Sequence, residues 1–246
     1  MTRFLSLWRK ELAGHFLSPV AYTVLTAFLA VTGLGFWRLA AQSDESPMGL
    51  SVMLFGPVFF WLMILVVITA ITMRLFAEER RAGTLETLRT APLRDAEIVL
   101  GKFAGAYTFF LIACASTAAP VACLRFLAPG AMPLDPGPLA AGYLILALCG
   151  AFYIAIGLFV SSLTRHQVVA AVVCFAVLAT LFFMEYLNYF LPGSGAQAVL
   201  AYLTPTRHIM DFASGFVDSR PIVWYLTGTA LMLFLATKAV ESERWR

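Results

Sequence analysis

The stretch RLFAEERRAGTLETLRTAPL, residues 74–93, breaks the pattern of the chain around it. An apolar run, residues 52–73, precedes it, and a second, residues 103–124, follows soon after. What this charged interval does between two long apolar runs decides how the chain folds.

The apolar runs set the class. The chain has 246 residues, 61% hydrophobic and 13% charged. A soluble domain carries roughly 25% charged residues and could not hide so much apolar surface. The solvent is therefore lipid, in which backbone polar groups must be satisfied within helices or closed barrels. Six apolar runs follow one another: 20–39, 52–73, 103–124, 139–160, 168–190 and 222–239. Each is close to the ~20 residues a helix needs to cross hydrocarbon about 30 Å thick. Barrel strands would be about ten residues long with alternating polarity, and no such alternation occurs. The first run is too long for the roughly 7–15 apolar residues of a signal peptide, so it is expected to be a retained span. The fold class expected is an all-α integral membrane protein forming a single permease domain over residues 1–246, with six transmembrane helices.

Charge gives the direction. If both termini are cytoplasmic, the inner segments hold Arg3, Arg9, Lys10, Arg74, Arg80, Arg81, Arg89, Arg94, Lys102, Arg165, Lys238, Arg244 and Arg246. Only Arg38, Arg125, Arg207 and Arg220 remain outside. The positive-inside rule then places both termini, and residues 74–102, in the cytoplasm. Within the span boundaries only Arg38, Glu185 and Lys238 are charged, each near an end. Transporters driven by ion gradients usually hold ionisable groups at mid-membrane; here energy is expected to enter elsewhere.

Smaller features bear on packing. Gly101 and Gly105 form a GxxxG, and Ala147, Ala151 and Ala155 a small-residue stripe, both of which let helices approach closely, within the chain or against a second copy. Gly56-Pro57 and Pro120 are expected to kink the second and third spans. Cys114, Cys123, Cys149 and Cys174 lie in apolar runs without metal-ligand spacing and read as packing residues. His15, His166 and His208 form no HExxH and no nucleophile–base arrangement, which argues against a membrane enzyme.

Residues 1–18 read as an amphipathic interface helix. Phe4, Trp8, Leu12 and Phe16 recur every fourth residue with Leu5 beside them, and Arg9 and Lys10 lie elsewhere. The quoted stretch then reads as helix, break, short helix, break, helix. The second span continues as a charged helix through Arg81, and Gly83 breaks it. Thr84 caps a short helix with Glu86 in its first turn and Leu85 and Leu88 on one face. Pro92 stops it, and Asp95 caps the ascending helix, with Glu97 in its first turn. Such a compact cytoplasmic knob suits docking of another protein; a solvated helical hairpin is the plainer alternative.

The residues also carry a resemblance. ITMRLFAEERRAGTLETLRTAPLRDAEIVLGKF, residues 71–103, resembles the signature of ABC type-2 exporter permeases, EE-(R/K)-x-x-G-T-x-E-x-L-x-x-x-P. The WRKEL start, the six spans and GLFVSSLTRHQVVA at 157–170 extend it over most of the chain. SPVAY at 18–22 and YLTPTRHIMDFASGFVDSRPIVWYL at 202–226 are most similar to the gliding-motility-associated permeases, with the permeases of nitrous-oxide-reductase maturation as second relatives. The resemblance implies a membrane subunit of an ATP-driven exporter in the bacterial cytoplasmic (inner) membrane. Glu79, Arg81, Gly83, Thr84, Glu86, Leu88 and Pro92 would shape a coupling helix docked into a cytoplasmic ATPase. Residues 191–221 would be extracytoplasmic, with Arg207, His208, Asp211 and Asp218 facing the outer cavity or periplasm. A P-loop needs GxxxxGK[ST], and the only Gly-Lys, Gly101-Lys102, is followed by Phe103. No cofactor is therefore expected in this chain; ATP and Mg would sit on the partner ATPase. A second permease, identical or carrying an extracytoplasmic domain, is the other implied partner. The alternative reading is an ATP-powered mechanical or scaffolding complex that acts on an outer partner without moving a solute.

Overall fold

The computed structural model describes residues 2–41, 49–83, 94–127, 135–190 and 204–242, and all regular structure among them is α-helical. Thr84, Glu86, Leu88 and Pro92, and the side chains of Arg3, Arg125 and Glu185, lie outside the described residues. Six helical segments are long and apolar enough to cross a membrane: Pro19–Ala40, Val58–Arg81, Asp95–Cys123, Pro136–Leu163, Gln167–Met184 and Ser219–Ser242. They correspond one to one with the six apolar runs.

The N-terminal helix α1, Thr2–Phe16, precedes the first span, α2, Pro19–Ala41. The second span is divided. A short helix α3, Leu50–Phe55, leads into α4, Val58–Thr72, and the break falls at Gly56-Pro57. Pro57 has no N–H to donate and takes an extended conformation, φ −62° and ψ 129°. The Phe55 carbonyl at this break is recovered by the indole N–H of Trp61, at 2.7 Å. At its other end the expected continuous charged helix is interrupted by a turn at residues 73–76, before α5, Ala77–Ala82. The cause is Ser161, whose hydroxyl accepts from the amides of Phe76 (3.1 Å) and Ala77 (3.3 Å).

The third span is α6, Asp95–Ser116, followed by α7, Ala118–Leu127. The helix jogs at Thr117, just before Pro120, whose missing N–H and ring crowd the preceding turn. There the Thr117 hydroxyl donates to the Cys114 carbonyl at 2.6 Å and meets the Tyr143 hydroxyl at 2.9 Å. The first turn of α6 departs from expectation. Arg94, not Asp95, is the residue before the helix, and its amide donates to the Glu97 carboxylate at 2.9 Å. The helix begins at Asp95, one residue earlier than expected, and carries Lys102 within it.

The remaining elements are α8 (Pro136–Leu163), α9 (Gln167–Phe190), α10 (Pro205–Ala213) and α11 (Ser219–Ser242). The fourth span, α8, is central: it packs on α3, α4, α6, α9, α10 and α11. Its small residues make this possible. A side chain at Gly150 would collide with the Phe110 ring of α6, and one at Gly157 with Thr72 of α4. Cys114, Cys149 and Cys174 are buried in this core, and Cys123 is exposed.

The GxxxG of α6 packs within the chain. It receives α1: a Cβ on Gly101 would lie 2.6 Å from Leu7 Cδ2, and one on Gly105 would lie 2.7 Å from Glu11 Cβ. The α1 helix is thus more than a surface anchor. Leu7 is buried, Trp8 donates its indole N–H to the Thr108 hydroxyl at 3.1 Å, and the Phe16 ring meets Phe109 edge-on. Phe4 and Leu5 remain exposed.

Candidate functional site

The end of the bundle that bears α1 and α5 is where charge enters the packed structure. Lys102 is 1% exposed. Its ammonium sits 2.9 Å from the Glu11 carboxylate of α1 and 2.8 Å from the Glu79 carboxylate of α5. The Phe76 ring lies 5.4 Å from it, within cation–π range. One lysine therefore joins three elements: the N-terminal helix, the start of the third span and the segment leaving the second. Burying an ammonium is costly unless it is paired with good geometry. Two short contacts supply that pairing, one carboxylate from α1 and one from α5.

The α5 segment is fixed from several sides. Besides the Ser161 hydroxyl at its start, Arg80 donates to the Thr164 carbonyl at the end of α8, at 3.4 Å. Gly83 closes the helix in the left-handed region, φ 69°, with its amide 3.4 Å from the Arg80 carbonyl. Of the coupling residues named from sequence, Arg81 and Gly83 are exposed, whereas Glu79 points inward to Lys102. The structure brings these three together on α5 and its cap.

The other candidate set lies at the opposite end of the bundle, on α10 and the turn after it. Arg207, Asp211 and Asp218 are exposed, and Asp218 accepts from the Arg220 amide at 3.1 Å. His208 does not face outward as expected. It is 6% exposed, and its Nδ1 lies 3.3 Å from the Tyr225 hydroxyl of α11. The helix is strongly one-sided, and its register turns His208, with Ile209 and Phe212, into the core.

Sequence reasoning missed the cluster on Lys102. Glu11 drew no attention, and Lys102 counted only as one more inner cation. The available signal was its place between Gly101 and Gly105, where a close-packed neighbour could present an acid. Among the described residues, no group of three or more His, Cys, Asp or Glu side chains is placed to hold a metal. The arrangement is a charge-paired joint next to a short, partly exposed helix.

A family model described as "ABC-2 family transporter protein" matches residues 34–240. The chain belongs to the ABC-2 transporter family. It is a multi-pass membrane permease subunit of an ABC transporter, and permeases of this family lack an ATPase site and work with an ABC ATPase subunit. No curated protein matches the chain.

Proposed function

We propose that this permease couples ATP hydrolysis on a separate cytoplasmic ATPase subunit to export of a substrate across the bacterial inner membrane. The observation that carries the reading is the joint at Lys102. The short helix α5, which leads directly into the exposed Gly83 turn, is tied through Glu79 and Lys102 to both the third span and α1. A push on the segment beyond Gly83 would therefore be delivered to three helices at once. In this reading residues 74–102 are the coupling loop, Arg81, Gly83, Thr84, Glu86, Leu88 and Pro92 shape the docked surface, and Glu79 is its anchor to the membrane domain. ATP and Mg are held by the partner. The α1 end faces the cytoplasm, in keeping with the basic residues gathered there, and Arg207, Asp211 and Asp218 face the outer side. A second permease completes the pathway. The likeness of residues 18–22 and 202–226 to gliding-motility permeases supports a companion that carries the extracytoplasmic domain.

Transmission needs the loop to contact the two nucleotide states of the ATPase with different free energy, since equal binding shifts nothing. The test is a Glu86→Lys permease assembled with its ATPase in proteoliposomes. It is expected to keep the membrane fold and to lose permease-dependent stimulation of ATP turnover. Normal stimulation in this variant, or labelling of an Arg81→Cys permease by an impermeant thiol reagent added outside intact cells, would refute the assignment.

A further inference from the structure

A cavity of about 440 Å³ opens between α1, α2, α4 and α6 at the α1 end of the bundle. That volume is in the range of a ligand pocket. Its two halves differ in character. Toward the membrane interior its walls are apolar, formed by Val24 and Leu25 of α2 and Val67 and Ala70 of α4. Toward the helix ends it is charged, lined by Lys10, Glu11, Arg74, Glu78, Glu79 and Lys102. An apolar slot at membrane depth ending in a charged mouth is the shape of a lipid site.

Two buried nitrogens point to what the mouth binds. Both Nε of Arg74 and Nε2 of His15 are buried and have no hydrogen-bond partner among the described residues, and both residues line this cavity. Arg74 does donate through another nitrogen to the Ser18 hydroxyl, at 2.5 Å. Its Nε, however, lies 3.7 Å from the Glu78 carboxylate, too far for a hydrogen bond. Buried donors without acceptors are uncommon and call for a partner. An oxyanion with several acceptor atoms suits two such nitrogens, and arginine in particular favours phosphate. Glu78, half exposed beside them, offers the opposite sign.

We propose that this cavity holds one phospholipid of the adjacent leaflet with a zwitterionic, amine-bearing headgroup. Its phosphate accepts from Arg74 Nε and from His15 Nε2, in the tautomer that carries the proton there. Its ammonium faces Glu78, and one acyl chain lies between α2 and α4 along Val24, Leu25, Val67 and Ala70. A headgroup without an amine would leave Glu78 no ammonium to face. The bound lipid would wedge α1 against the first two spans, next to the joint at Lys102. The inference rests on the cavity and not on the coupling assignment, and it holds whichever membrane face the α1 end occupies.

The experiment uses the assembled transporter in nanodiscs doped with a photoactivatable diacyl phospholipid bearing either an ethanolamine or a glycerol headgroup. The ethanolamine probe is expected to label peptides from α2 and α4 in preference to the glycerol probe. Loss of the charged contact in Arg74→Gln should lower that labelling about tenfold, and Ala70→Trp, which fills the slot, should lower it as far without changing labelling elsewhere. Labelling unaffected by both variants overturns the proposal, as does preference for the glycerol headgroup. Labelling of the isolated permease that vanishes in the assembled transporter overturns it too, because a protein partner then covers the cavity.

Discussion

The ammonium of Lys102 and the carboxylate of Glu79 meet at 2.8 Å, tying the third span to the segment that leaves the second. Glu11 closes the cluster from α1 at 2.9 Å. Removing one partner of a buried ion pair leaves an uncompensated charge and costs about 3–5 kcal/mol, whereas replacing the whole group by apolar side chains is often neutral. Lys102→Met alone should therefore destabilise the permease by about 3–5 kcal/mol, and adding Glu11→Leu and Glu79→Leu should recover most of the loss. Thermal unfolding in detergent, followed by loss of the monodisperse species, measures both. In the coupling reading the stable triple variant still fails to stimulate the ATPase, because the joint slides. A triple variant that stimulates normally would show that Lys102 serves stability alone.

How far this could be read from sequence depended on range. The six spans were legible because a bilayer imposes a length on apolar runs, and the break at Gly56-Pro57 because proline acts locally. The end of α5 at Gly83 was legible for the same reason, since a left-handed turn favours glycine. What escaped was tertiary. No spacing links residues 11, 79 and 102, so Lys102 looked like one more inner cation until packing placed two acids against it. The family resemblance grouped His208 with Arg207 and Asp211 on the outer side; helix register turned it to Tyr225. The turn at residues 73–76 depends on Ser161, which is over eighty positions away.

Ser161 is the second point at which a single atom holds the junction. Its hydroxyl, fully buried, accepts from two successive amides, Phe76 and Ala77. Alanine there leaves both amides without that acceptor, at a cost of about 1–3 kcal/mol for a buried unsatisfied group. Ser161→Ala is expected to lower the unfolding temperature and to raise proteolysis near α5, whereas Ser162→Ala, whose hydroxyl only returns to the Phe159 carbonyl of its own helix, should do little. Equal effects of the two variants would contradict this account.

The seat of α1 on the third span predicts an asymmetry between two glycines four residues apart. The atoms nearest a Cβ on Gly101 belong to the Leu7 side chain, its terminal Cδ2 first, but one on Gly105 meets the Cβ of Glu11 and the Leu12 backbone. Alanine gains about 1 kcal/mol over glycine in a helix interior. Gly101→Ala should thus be near neutral, whereas Gly105→Ala pushes α1 outward and should cost about 1–3 kcal/mol, the range for overpacking. Unfolding curves of the two variants, together with the protection of Trp8 from quenchers, distinguish them; Trp8 should become more accessible only in Gly105→Ala.

Gly83 separates backbone geometry from side-chain chemistry at the proposed docking surface. It is exposed and sits at φ 69°, and among the described residues no atom beyond its chain neighbours lies within 4 Å of where a Cβ would be. Space is therefore not the obstacle; conformation is, since a left-handed residue other than glycine costs about 1–2 kcal/mol and β-branched residues fit worst. Asparagine tolerates this region better than most residues. Gly83→Asn should keep ATPase stimulation close to that of the native permease, and Gly83→Val should lose most of it by redirecting the chain that leaves α5. Because Gly83 is exposed, both variants should unfold within about 1–2 kcal/mol of the native protein. A Gly83→Val permease that stimulates its ATPase fully would mean that the direction in which the chain leaves α5 is not what the ATPase reads.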